Sequence, residues 1–261
     1  MKRSSILFAA LLLLTPLAAS ADTLPIVEKS IEHHGGERYA SSDTSFRIVS
    51  RSGAFRVEAR QDGGLYRYAV IQDTDDGERT VVATNDDVEI LVDGEPQPVP
   101  AEDEQRWRDF VSARVYFPFL PYRLDDPSVR QEDLGLETWP VIGSGDVETG
   151  EGERELHKVK VTFEEGSSTE AQDEYLYWFD PETGRLEQLA YSFRGGLRFR
   201  VAEDYRRVGG LLFADHENYG VDWKEGQTPD PVDAITPEYV REEMEHISTV
   251  KLEDVKVEGL E

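Results

Sequence analysis

Apolar and polar positions alternate with a period of two along most of this chain. Phe55-Arg56-Val57-Glu58-Ala59-Arg60 sets Phe55, Val57 and Ala59 on one face and charge on the other, the pattern of a half-buried strand. Similar runs at Phe46–Val49, Leu65–Ile71, Thr80–Thr84 and Val88–Val92 are separated by Asp62-Gly63-Gly64, Asp76-Gly77 and Asp86-Asp87, with Asp93-Gly94 closing the last. Short strands with Asp-Gly turns between them predict an antiparallel meander. A second β region covers Leu156–Phe163, Glu174–Phe179, Arg185–Phe193, Leu197–Tyr205, Leu211–Tyr219 and Val250–Val257. Its turns are Asp180-Pro181-Glu182-Thr183-Gly184, Gly195-Gly196 and Gly209-Gly210. Roughly ten to eleven strands are expected in all.

The period changes in three places. Leu24–His34 reads as a helix, with Thr23 as cap, Pro25 in its first turn, Leu24, Val27 and Ile31 on one face, and Gly35-Gly36 at its end. Glu102–Val115 reads as a second helix after the Pro96–Pro100 break. Glu102, Asp103 and Glu104 suit the positive end of its dipole, and Trp107, Phe110, Val111 and Val115 share one face. Thr236-Pro237-Glu238 starts a third, short helix. Between the two β regions lies Tyr116-Phe117-Pro118-Phe119-Leu120-Pro121-Tyr122, whose prolines exclude regular helix or central strand. Gly143–Glu155, acidic and glycine-rich, reads as an exposed loop. No repeat or linker divides residues 22–261, and a single domain is expected.

The first 21 residues change the picture. Lys2 and Arg3 precede an apolar run from Ile6 to Leu14, and Ala19-Ser20-Ala21 supplies the small residues of a cleavage site. This is the pattern of a secretory signal peptide, with Asp22 opening the mature chain. The run is too short to serve as a permanent membrane span. Export puts the protein where ATP and most soluble metabolism are absent. The chain has no cysteine, so it has neither a disulfide framework nor a lipid-modified terminus. Its core alone must hold it.

The net charge is −26, and loss of Lys2 and Arg3 takes it to −28. Phosphate contacts need clustered cations, so nucleic acid is not an expected partner, and anionic lipid surfaces repel the chain. Candidate chemistry is sparse. There is no Gly-x-Ser-x-Gly elbow. His216-Glu217 lacks the second histidine of a zinc-protease helix and lies on an expected strand. His33 and His34 are adjacent, and on a helix point about 100° apart, unsuited to one metal. Gly143-Ser144-Gly145 has no helix after it to make a nucleotide loop. Asp73-Thr74-Asp75-Asp76-Gly77 has its glycine one residue early for a calcium loop and reads as a hairpin turn. No metal, cofactor or catalytic residue is indicated.

The aromatic cluster is the remaining signal. Trp107, Phe110, Tyr116, Phe117 and Phe119 surround the proline-rich loop, and Tyr66, Tyr68 and Tyr177 are expected to point inward from the strands. Such rings are either plain core or the lining of an apolar cavity under a curved sheet. Taken as a lining, these eight residues are the candidate ligand site. Trp107→Ala or Phe117→Ala would then weaken binding without unfolding the chain.

Several stretches resemble the exported LolA/LolB (lipoprotein-carrier-like) superfamily. They are Ile31-Glu32-His33-His34-Gly35-Gly36, Phe46-Arg47 through Tyr66-Arg67-Tyr68, Tyr177 through Leu186, and Tyr205 through Phe213. The resemblance implies a mainly β fold, an unclosed antiparallel β-barrel of about eleven strands with helices plugging its concave side. It implies a periplasmic, non-enzymatic protein that carries or senses a hydrophobic small molecule, a lipid or an acylated protein; a monomer is expected. Ala214 stands where the superfamily signature usually carries Pro. Two rivals remain open: an envelope interaction protein without a cavity, working through its acidic surface, and an exported hydrolase.

Overall fold

The computed structural model describes residues 23–142, 152–164, 174–193, 195–224 and 230–259. The leader read at Met1–Ala21, and positions 143–151 of the acidic loop with its Gly143-Ser144-Gly145, lie outside the described residues.

Six strands form the first meander: β1 (Ser41–Ser50), β2 (Gly53–Asp62), β3 (Leu65–Thr74), β4 (Gly77–Thr84), β5 (Val88–Val92) and β6 (Glu95–Gln97). Seven more follow: β7 (Val129–Pro140), β8 (Glu153–Phe163), β9 (Tyr175–Phe179), β10 (Leu186–Phe193), β11 (Gly196–Val208), β12 (Leu211–Asp222) and β13 (Glu245–Gly259). All thirteen belong to one sheet in the order β6-β5-β4-β3-β2-β1-β13-β12-β11-β10-β9-β8-β7. Every pairing is antiparallel, and β6 and β7 are edges, so the sheet does not close. This is the unclosed barrel expected, with two more strands. β6 carries Pro96, which an edge strand tolerates because one side of its ladder is unpaired. β7 contains an irregularity between Asp133 and Gly135, which breaks its alternation and leaves Leu134 and Leu136 exposed.

Three helices accompany the sheet: α1 (Pro25–His34), α2 (Glu104–Val115) and α3 (Pro237–Glu243). Thr23 does not cap α1. Leu24 holds the cap position without a side-chain bond, and the Thr23 hydroxyl donates to Asp125 at 2.6 Å. At α3 the Thr236 hydroxyl does accept from the Tyr239 amide, with Pro237 in the first turn. Gly35, at φ 134°, ends α1 against the β11–β12 turn, where an added Cβ would lie 2.8 Å from the Gly210 carbonyl and the Tyr122 hydroxyl. Glycine is therefore required there on two counts, left-handed backbone and close approach.

The second meander is covered on both faces, and β9 shows how. Tyr175, Tyr177 and Phe179 pack into a core shared with Ile26 and Val27 of α1 and with Leu120 and Leu124. Leu176 and Trp178, pointing the other way, pack with Val232, Ile235 and Val240 of α3 and the turn before it. All five β9 residues are buried. Helices were expected on the concave side alone; α3 covers the opposite face of the second meander. A third core joins Phe46, Val57, Tyr68 and Val70 of the first meander to Val111 and Val115 of α2 and to Phe119.

Candidate functional site

β1 and β13 form the seam between the meanders, with Ser42 opposite Gly259 and Val49 opposite Lys251. α2 packs over β2–β5, the aromatic segment after it reaches β12, and the space left between them and the seam is not filled. A cavity of about 510 Å³ lies there. This is within the roughly 300–1,000 Å³ of typical ligand sites. Ile48 and Phe55 line it from the first meander, and Val250 and Leu252 from β13. The second meander contributes Phe163, Tyr175, Tyr191 and Phe193. Tyr116, Phe117 and Pro118 form its cover.

Four arginines also line the cavity: Arg114, Arg123, Arg198 and Arg200. Arg123 pairs with Asp126 at 2.9 Å, and Arg198 with Asp222 at 2.7 Å. Arg200 lies over the Phe117 ring at 3.8 Å, and its Nη2 donates to the Tyr191 hydroxyl at 3.2 Å. Arg114 lies over the Phe110 ring at 3.9 Å, and its Nη1 donates to the Phe110 carbonyl at 2.9 Å. Burial pulls the Arg114 guanidinium below its ordinary value. His216 of β12 completes the lining. Burial, and then the charge of Arg200, pushes it down to about 3, so it is neutral.

A 20 Å³ void adjoins this lining. Phe117, Pro118 and His216 border both spaces, and His34, Leu120 and Phe213 line the smaller one. Burial holds His34 down at about 4, against the opposing effect of its 2.8 Å bond to the Ser30 carbonyl. Among the described residues no group of three or more His, Asp or Glu could hold a metal ion.

The model of a protein family, described as a family of unknown function (DUF6503), matches residues 2–254. The chain belongs to that family. Among solved structures this DUF6503 protein is similar to the LolA superfamily protein NE2245 from Nitrosomonas europaea. That likeness covers 92% of this chain and 96% of the other at 10% identity and a TM-score of 0.49. MucB in complex with MucA(peri) is similar over 90% of this chain and 98% of its own, at 11% identity and a TM-score of 0.21. The MucA/MucB complex of Pseudomonas aeruginosa follows over 88% and 92%, also at 11% and 0.21. No curated protein matches the sequence.

Of the eight aromatic candidates, the DUF6503 structure brings Tyr116 and Phe117 to the cavity. Tyr116 is anchored by its hydroxyl, 2.7 Å from that of Tyr177, which is itself fully buried. Burial first, and then the neighbouring tyrosines, raise the Tyr177 hydroxyl well above its ordinary pKa. Phe119 is buried among Tyr39, Phe46 and Tyr68. Tyr66 stacks on Tyr68 at 4.6 Å, on the first meander. Trp107 packs against Phe110 and beneath Arg79 and Arg106. The lining arginines and His216 were not among the candidates. In β11, Leu197-Arg198-Phe199-Arg200-Val201 reads as apolar inward and charged outward. Here the apolar row faces α3, and the arginines face the cavity.

Proposed function

We propose that this protein is an exported, non-enzymatic binding protein that holds a hydrophobic chain in the cavity at the seam. The observation that carries the reading is the cavity itself, with Phe55, Phe117, Phe163, Tyr175, Tyr191 and Phe193 along it. An interaction protein working through its surface alone has no use for a 510 Å³ space under its central strands. Each CH₂ withdrawn from water contributes about 0.8 kcal/mol, so a short alkyl chain is enough for micromolar binding. The LolA/LolB resemblance of the sequence implies the same kind of cargo. The leader, Met1–Ala21, would deliver the chain to the periplasm, where Asp22 opens the mature protein. Ligand enters by displacement of the Tyr116–Pro118 cover.

The mature protein, purified without detergent, is expected to carry a lipid-like mass in native mass spectrometry. Emptied, it should bind the neutral probe N-phenyl-1-naphthylamine with a rise in fluorescence. Phe117→Ala is expected to weaken that binding about tenfold, the weight of one ring contact of ~1.5 kcal/mol, with little change in the unfolding midpoint. A bare mass together with no probe uptake would refute the reading.

A further inference from the structure

We propose that the cavity selects amphiphiles with an anionic head, a carboxylate or phosphate, which Arg200 receives while the chain lies along the rings. This rests on the cavity reading above and names the ligand class for it.

The charge balance is the first reason. In the whole chain acids outnumber bases, 54 to 28. In the cavity lining the ratio is reversed, with four arginines against Asp109 and Asp126. Arg123 and Arg198 have carboxylate partners. Arg114 and Arg200 have none among the described residues; their bonds go to a carbonyl and a phenol, and their planes lie on rings. A half-buried guanidinium without a counter-charge is costly, and an abundance of nearby acids makes its lack of one conspicuous.

The second reason is unused donor capacity. The Nε atoms of Arg200 and Arg123 are buried and have no hydrogen-bond partner among the described residues. Guanidinium presents a planar fork that matches a carboxylate or phosphate with two parallel bonds, and that of Arg200 lies 3.8 Å over the Phe117 ring. His216 gives no competing charge, since it is neutral. The third reason is placement. Arg200 lies on the ring that covers the cavity, and Ile48, Val250 and Leu252 line it from the seam and offer apolar surface for the chain.

The test uses ligands that differ in the head alone, measured by displacement of N-phenyl-1-naphthylamine from the mature protein. Dodecanoate and dodecyl phosphate are expected to bind about tenfold or more tightly than dodecanol and dodecyltrimethylammonium, the scale of one charge-assisted pair. Arg200→Gln should erase most of that preference, while Arg47→Gln, on an exposed pair with Glu253, should change neither the preference nor probe binding. The wild-type comparison stands even if Arg200→Gln fails to fold. Equal binding of all four heads, with the probe still taken up, overturns the headgroup inference and leaves the cavity reading intact. No uptake of probe or amphiphile overturns both. Inorganic phosphate displacing dodecyl phosphate at matching concentration would make this a site for the free anion and overturn the amphiphile.

Discussion

Phe119→Ala is expected to lower the free energy of unfolding by about 3–5 kcal/mol, the range for a buried ring removed from a close-packed core. Phe119 is 1% exposed. Its ring lies 5.2 Å from Tyr39, 5.7 Å from Phe46 and 6.2 Å from Tyr68. The loss falls where α2 and the aromatic segment rest on the first meander, and nothing nearby can collapse without moving them. Chemical denaturation monitored by tyrosine and tryptophan fluorescence reads it directly. The contrast with Phe117, two residues away, is the informative part. Phe117→Ala should act on binding and Phe119→Ala on stability. If the two substitutions cost the same stability, the cover is simply core, and the cavity has no separate lining.

Acid should destabilise this protein steeply between pH 6.5 and 4, through two histidines. His34 and His216 are held neutral by burial, at about 4 and about 3, against an ordinary 6.5. A base with a depressed folded pKa contributes full stability above its unfolded pKa. That stability is lost as pH falls toward the folded value, because the unfolded chain takes up the proton first. The complete loss is on the order of 3 kcal/mol for His34 and 5 kcal/mol for His216. Urea denaturation at pH 7, 5 and 4 should show the decline in the wild type. His216→Gln should remove about half of the histidine-linked part of it down to pH 4. Parallel curves for the two proteins would show that His216 is reached by water.

Much of this fold was legible because its strands obey simple rules. Phe55–Arg60 alternates, Asp76-Gly77 turns, and Thr236-Pro237 opens a helix, each from local chemistry that its neighbours do not override. β6 was not legible, because Pro96 argues against any strand whose partners are unknown. β7 was lost for a similar reason, since the slip at Asp133–Gly135 puts Leu134 and Leu136 out of phase. The face toward the cavity was harder still. Alternation divides a strand into two rows but does not say which row meets water. In β2 the charged row is exposed, and the usual reading holds. In β11 both rows are covered, one by α3 and one by the cavity roof, and only the neighbouring elements reveal it. Side-chain size marks Phe117 and Phe119 alike and cannot separate lining from core.

The pairing of β1 with β13 has a consequence for how the chain reaches this state. Arg47 lies opposite Glu253, a contact between residues 206 positions apart. Such a contact must wait for nearly the whole polypeptide, and closure of a loop that long slows folding. The outer edge of β1 stays open until Glu245–Gly259 arrives to pair with it. An unpaired central edge is a template for the wrong strand. The part of the molecule that ends up lining the cavity is therefore the last to be sewn together, and the most exposed to error until it is.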